Sequence, residues 1–299
     1  TVTDWINVAS IARTDGGTLP ILFARLYSAD QVYVMGNTSS TDGSEWGTTS
    51  GAVALGRVIY DSTAAGDFVT TNQASYVATT AYHTAITGFE FLHTTDVLTV
   101  MALGDSIHQG DGGVASKLLG PVTRAAIVAS SATRPVQYAN YGWSSDTTDG
   151  FLSRLTDLLA AGCRPHVIVT TPHSTNDIST SSVGFFNFCL VKMRDNGMAV
   201  KKLCDQYGIK LVWATWLPYV YAENRDSLRR AYVAEVKALG NELGIPVIDW
   251  DAAVKAGTTP DTMQAGFTGD NLHPNDAGNA ALATVTQPVI EAVRDVYFA

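Results

Sequence analysis

Cysteine is nearly missing from this chain: Cys163, Cys189 and Cys204 are the only three in 299 residues, widely spaced and without a C-x-x-C pair. That excludes a disulfide framework and a cysteine-based zinc site, and leaves buried free thiols as the expectation. Charge is sparse too, at 16% of residues, and positive charge sparser, with 19 Lys+Arg against 28 Asp+Glu and a formal net charge of −9. No basic run occurs. Nucleic acid is therefore excluded as a partner, because such binding relies on Lys and Arg neutralising phosphates. Long apolar runs are missing as well: residues 97–103 and 209–214 are among the longest, far short of the roughly 20 residues that cross a bilayer. No membrane span is expected.

What is present suits a folded chain. Hydrophobic residues make up 46% of the sequence, enough to bury a large core, with Ser, Thr, Asn and Gly rather than ion pairs left to cover the surface. That texture resembles secreted, extracellular or virion-associated proteins. Two patterns divide the chain. Residues 1–94 carry short alternating runs at 22–27, 31–35, 53–60 and 88–92, separated by turns such as Asp15-Gly16-Gly17. They read as a small β-rich domain with a packing or carbohydrate-binding role.

Residues 95–299 instead alternate apolar runs with helical spacing. Strands are expected at 97–103, 136–140, 166–171, 210–215 and 246–249. Helices are expected at 114–130, 147–161, 183–207 and 223–243, with a last one after Pro274. The helix from Asp226 places Leu228, Ala231, Tyr232, Val236 and Leu239 on one side. Strands alternating with helices predict an α/β domain with a parallel sheet between helical layers. In such a sheet, ligands bind beyond the carboxyl ends of the strands.

Chemistry-bearing residues fall at those ends. The first strand runs into Gly104-Asp105-Ser106, and the chain's last loop is Asp270-Asn271-Leu272-His273-Pro274. A serine hydroxyl needs a neighbouring base, and an imidazole base needs a carboxylate to fix its tautomer; Asp and His three apart on one tight loop supply that locally. A plain helix start accounts for Pro274 but not for His273. Between them, Asn140-Tyr141-Gly142 offers a glycine N–H and Ser174-Thr175-Asn176-Asp177 a carboxamide, donors of the kind that stabilise an oxyanion.

Four blocks in this order, Gly104-Asp105-Ser106, Asn140-x-Gly142, Asn176-Asp177 and Asp270-x-x-His273-Pro274, resemble the SGNH (GDSL-like) hydrolase superfamily across nearly all of residues 96–299. The resemblance implies a flavodoxin-like three-layer α/β/α sandwich and a serine esterase working through an acyl-enzyme without metal or cofactor. Ser106 is then the nucleophile, His273 the base, and Asp270 its orienting carboxylate. The backbone N–H of Ser106, the N–H of Gly142 and the side chain of Asn176 become the oxyanion donors. The chain departs from the pattern twice. Ser144-Ser145 stands where the second block often reaches a further glycine, and Ser174 stands where the third block usually begins with one.

Other residues carry weaker signals. His108 and His173 lie at the catalytic edge, where they line the acyl pocket or compete with His273 as base, and Trp143 and Tyr219 are further candidates for substrate contact. Asp105 and Asp177 are expected to hold the nucleophile and oxyanion loops by hydrogen bonds. Asp105, His108 and Asp111 on one loop form too small a set to predict a metal. His83 and His93 read as surface or packing residues. The expected substrate is a short acyl ester, an acetylated carbohydrate or polysaccharide, since no long apolar lid segment is visible; the superfamily includes polysaccharide deacetylases of bacteriophage tails. A lipid-directed lipase or thioesterase and a non-catalytic glycan-binding module are the alternatives, and oligomerisation stays open.

Overall fold

The computed structural model describes residues 96–112, 119–131, 133–178, 183–219 and 223–299. Before them it describes only a short antiparallel pair, Tyr60–Asp61 with Val77–Ala78. The β-rich domain expected over residues 1–94, with His83 and His93, otherwise lies outside the described residues. The sheet and the site belong to the compact unit that includes Glu90–Ala299.

Five strands form that unit's sheet: β1 (Leu98–Gly104), β2 (Val136–Gly142), β3 (Val167–Thr170), β4 (Lys210–Ala214) and β5 (Val247–Ile248). They lie in the order β2-β1-β3-β4-β5, and every neighbouring pair is parallel. Each strand end predicted from sequence lies within two residues of the observed one. Parallel neighbours require crossovers, which the helices supply: α1 (Ser106–Gln109), α2 (Pro121–Ala129), α3 (Thr148–Ala160), α4 (Val183–Tyr207), α5 (Glu223–Leu243), α6 (Trp250–Val254) and α7 (Asp276–Tyr297).

The apolar runs alternate because both faces of the sheet are covered. Leu98, Val100 and Ala102 of β1 pack with Val122, Ala126, Leu282 and Ile290 from α2 and α7. Met101 and Leu103 of the same strand pack with Leu155, Met193, Cys204 and Tyr232 from α3, α4 and α5. Period-two side chains feeding two different helical layers make the three-layer α/β/α sandwich. Cys189 and Cys204 are buried as expected, whereas Cys163 is only half-buried.

Two sequence expectations need correction. The helix expected over 114–130 begins at Pro121, because Gly120 is in an extended conformation (ψ 172°) and proline occupies the first turn. On α5, Tyr232 and Val236 face the core but Ala231 is exposed, and the buried position beside them is Arg229. Its charge is matched by Asp226 Oδ1 at 2.9 Å and Asp251 Oδ1 at 2.6 Å, and it also donates to the Trp216 carbonyl at 3.1 Å. A buried guanidinium is tolerated only with such partners. This one ties α5 to α6 and to the loop that follows β4.

Candidate active site

The carboxyl ends of β1, β2 and β3 and the loop before α7 meet around Ser106. Asp105 caps α1: its Oδ1 accepts from the Ile107 N–H at 3.1 Å, which turns the chain sharply and presents Ser106 at the first position of the helix. Room for that turn comes from the glycines at the ends of β1 and β2, which are register partners. A Cβ on Gly104 would lie 2.0 Å from His108 Nδ1, and one on Gly142 would lie 2.2 Å from the Gln109 nitrogen. Any larger residue at either place would push α1 off the sheet.

The loop before α7 explains the three-residue spacing of Asp270 and His273. Asp270 Oδ1 accepts from the backbone N–H groups of Leu272 (2.9 Å) and His273 (2.7 Å), which curls the loop. Its Oδ2 lies 2.6 Å from His273 Nδ1. Partial burial alone would push this carboxyl up. The His273 ring and the two backbone N–H groups more than offset that and hold it at about 2, so it is ionised at neutral pH. Asn275 then caps α7, accepting from Ala277 and Gly278 N–H, so the cap and the Asp270–His273 pair share one loop without competing.

These elements bring Ser106, His273 and Asp270 together. His273 Nε2 is 3.0 Å from Ser106 Oγ, and with Nδ1 on Asp270 the three side chains form one continuous relay. Neither His108 nor His173 has a hydrogen bond to Ser106 among the described residues. Both instead line a cavity together with Tyr219, while Trp143 stands half-exposed outside it.

The expected oxyanion donors are less simply placed. The Ser106 N–H has no acceptor among the described residues. The Gly142 N–H, by contrast, donates to Asn140 Oδ1 at 2.9 Å. This corrects the sequence reading: Gly142 lets α1 approach the sheet, and its N–H is already taken. In the loop that follows, Trp143 N–H donates to Gly104 O, Ser144 N–H to Gln109 Oε1 and Asp146 N–H to Trp143 O. Ser145 N–H alone in this stretch has no acceptor among the described residues. Ser145 is also left-handed, with φ 66°. Its free N–H depends on that turn, and sequence reasoning had noted the position only for lacking a glycine.

Asn176 donates from Nδ2 to the Asp146 carbonyl at 2.8 Å and more weakly to Ser174 Oγ at 3.3 Å. Its carboxamide therefore pins the Ser145 turn. Ser174 adopts ordinary extended backbone (φ −141°, ψ 141°) and is fully buried. Its hydroxyl is 2.7 Å from Asp105 Oδ2 and 2.9 Å from the Asp146 carbonyl, so one side chain clamps the nucleophile loop to the β2 loop. Burial alone would raise the Asp105 carboxyl. His108 beside it, the Ser174 hydroxyl and the Ile107 N–H outweigh that and keep it below its usual range. Asp177 accepts from Thr148 N–H and hydroxyl at 3.0 and 2.9 Å, which seats α3 on the same turn. Arg154, unremarked in the sequence, reaches from α3 to the Gly104 carbonyl (3.0 Å) and to Asp146 Oδ2 (2.5 Å).

The sequence pattern of a family described as GDSL-like Lipase/Acylhydrolase matches residues 102–281, more than half of the chain. No curated protein matches. Among solved structures, the lipase Lip_vut3 from a goat rumen metagenome is similar with TM-score 0.53 and 20% identity, over 64% of this chain and 96% of that one. A lipolytic protein of the G-D-S-L family from Desulfitobacterium hafniense DCB-2 gives 0.52 and 18%, over 64% and 98%. A mutant of Axe2, an acetyl-xylooligosaccharide esterase from Geobacillus Stearmophilus, gives 0.51 and 19%, over 64% and 94%. At these identities the similarity speaks for a shared fold.

Proposed function

Because this chain belongs to the GDSL-like lipase/acylhydrolase family, whose members hydrolyse esters, we propose that it is a serine esterase that removes short acyl groups, of acetyl size, from a carbohydrate. The observation that carries the reading is the relay from Asp270 Oδ2 through His273 to Ser106 Oγ, with contacts of 2.6 and 3.0 Å. Ser106 Oγ attacks the ester carbonyl carbon as His273 Nε2 takes its proton. The tetrahedral intermediate collapses, the carbon–oxygen bond to the alcohol breaks, and His273 returns the proton to the departing oxygen. Water then gives a proton to His273 and attacks the acyl-enzyme, and Ser106 leaves reprotonated with release of the acid. Asp270 remains an anion throughout and steadies the imidazolium.

The Ser106 and Ser145 N–H groups act as oxyanion donors in this reading, each free of a protein acceptor among the described residues. Asn176 joins them by turning one N–H away from Ser174, its weaker contact. One such donor contributes about 3 kcal/mol to the transition state. Support for a carbohydrate leaving group comes from Trp143, whose indole is half-exposed on the β2 loop and offers an apolar face of the kind sugars stack on. The low-charge, Ser/Thr-rich composition suits an extracellular or virion-associated setting. Among the described residues no helix is long and apolar enough to cross a membrane.

The test is acetate release from nitrophenyl acetate and from acetylated polysaccharides by wild type and Ser106→Ala. Equal turnover by Ser106→Ala would sink the mechanism. Preference for octanoate over acetate would replace the carbohydrate reading with a lipid one.

A further inference from the structure

Next to the serine relay lies a cavity that the relay does not use. Its walls include Asp105 and Ile107, which flank Ser106 in sequence, His108 on the same short helix, and Leu272, which precedes His273. Thr171 and His173 from the β3 loop, Trp216 and Tyr219 from the β4 loop and Trp250 of α6 are also among its walls, and its volume is about 20 Å3. A water-sized group needs roughly 10–15 Å3, so the space is of a size for a small group.

The chemistry of the walls is unusual for so small a space. His108 and His173 are 1% and 5% exposed, yet both ring nitrogens of His108 and Nδ1 of His173 have no hydrogen-bond partner among the described residues. The closest approach to a partner is His108 Nδ1 to Asp105 Oδ1 at 3.7 Å, too long for a hydrogen bond. Each unpaired buried polar group costs about 1–3 kcal/mol, and such groups cluster where a ligand supplies the missing partner. The rings cannot easily turn away. His173 is stacked on Trp216 at 4.9 Å and 18°, and His108 lies 5.2 Å from Trp250. Burial pushes His173 down to about 3, so at neutral pH it is an uncharged ring with one donor and one acceptor. Asp105 makes the cavity hostile to an anion. What satisfies these nitrogens in this volume is a neutral hydroxyl, which donates and accepts at once.

We propose that this cavity is the acyl subsite of Ser106 and that it selects a two-carbon acyl group bearing an α-hydroxyl, a glycolyl ester, over its unsubstituted or longer counterparts. The inference rests on the esterase reading above and refines it on the acid side of the ester. The carbonyl carbon sits at Ser106 Oγ, the α-carbon enters the cavity, and its hydroxyl meets the two imidazoles. Trp216 and Trp250, both buried, are bulky walls that disfavour a longer chain.

Ethyl glycolate and ethyl propionate are close isosteres, differing by OH against CH3, and pH-stat titration follows both. Glycolate esters are intrinsically more reactive, so the quantity to compare is the kcat/KM ratio of the pair divided by their ratio in hydroxide alone. That quotient should be about tenfold for the wild type, the equivalent of one net hydrogen bond, and should fall toward one in His173→Phe, which keeps a ring against Trp216. A quotient of one in the wild type, or an unchanged one in His173→Phe, overturns the proposal, as does turnover of ethyl octanoate equal to that of ethyl acetate. A binding measurement covers the case of a misfolded variant. In Ser106→Ala, glycolamide should shift the imidazole NMR signals of His108 and His173 at concentrations where propionamide does not. Signals indifferent to both amides refute the subsite. Failure of the esterase reading looks different: it is seen as undiminished ester turnover in Ser106→Ala.

Discussion

Replacing Ser174 by alanine removes a single oxygen, and the structure says what that oxygen holds. Oγ is 2.7 Å from Asp105 Oδ2 and 2.9 Å from the Asp146 carbonyl, two acceptors for its one proton, and it accepts from the Asn176 N–H at 3.2 Å. Asp105 is buried and ionised, so Ser174→Ala leaves a charged oxygen short of a donor. A hydrogen bond to a charged group contributes about 1.5–3 kcal/mol. At roughly 2–4 °C per kcal/mol for a domain of this size, melting should fall by about 3–12 °C. Because the Ser174 bond helps to keep the Asp105 carboxyl low, its stabilisation is complete above the ordinary carboxylate range, near pH 4, and fades as pH drops through the depressed value. The gap between wild type and variant should therefore be widest near neutrality and narrow in acid. The same clamp sets the distance between the Ser106 and Ser145 N–H groups, so kcat should fall about tenfold while KM moves less. Ser174→Gly, the residue more usual in the family, should be no milder, since it loses the same bond and frees the backbone. Urea titrations from pH 3 to 8 and steady-state kinetics decide the matter. Unchanged midpoints with kcat within twofold of wild type would make Ser174 a bystander.

Three further outcomes follow from the same geometry. Asp270→Asn keeps the loop's shape but not its charge, so kcat should drop by roughly 10²-fold or more; since the native carboxyl is held at about 2, its protonation contributes no loss of wild-type activity between pH 7 and pH 4, and an acid limb in that range that vanished in Asp270→Asn would contradict this. Ser145→Gly relieves a left-handed residue (φ 66°) and should raise stability by about 0.5–1 kcal/mol, whereas Ser145→Val, poorly suited to positive φ, should lower kcat; calorimetry and nitrophenyl acetate kinetics read the pair. Arg229→Met removes the buried partner of Asp226 and Asp251, leaving them Arg230 at 3.0 Å and Lys255 at 3.3 Å, and should cost about 1.5–3 kcal/mol by urea titration; a loss under 1 kcal/mol would show that those two cations suffice.

The fold was legible because its main signal is local. Apolar runs of five to seven residues, each followed by a longer stretch of helical spacing, can bury both faces of a sheet only in a parallel arrangement between helical layers. Strand ends were therefore found to within two residues. The pattern failed where a position answers to a distant partner. Arg229 sits on the core side of α5 because Asp226 and Asp251 neutralise it there, and nothing in the α5 sequence alone marks an arginine as buried. The late start of α2 depends on the extended backbone of Gly120, which hydrophobic spacing does not report.

The site divides along the same line. Asp270 and His273 are readable together because their contact is made within one four-residue loop, and Ser106 because Asp105 caps its turn two residues away. The oxyanion loops are not, since which N–H stays free is decided both by a local bond from Gly142 to Asn140 and by bonds to loops distant in sequence, from Ser174 and Asn176 to Asp146 and from Ser144 to Gln109. Asn140 looked like a companion to Gly142 but consumes its N–H, and the two serines that looked like departures from the family pattern turn out to be linked. With Ser174 at the head of the third loop, a hydroxyl is available to hold the Asp146 carbonyl. With that carbonyl held, the preceding residue can remain left-handed without being glycine, because the closed turn offsets the roughly 1–2 kcal/mol such a conformation costs. If this coupling is real, Ser174→Ala and Ser145→Gly should be non-additive: glycine at 145 should recover more stability in the Ser174→Ala background than in the wild type. Equal gains in the two backgrounds would mean that the turn stands without the clamp.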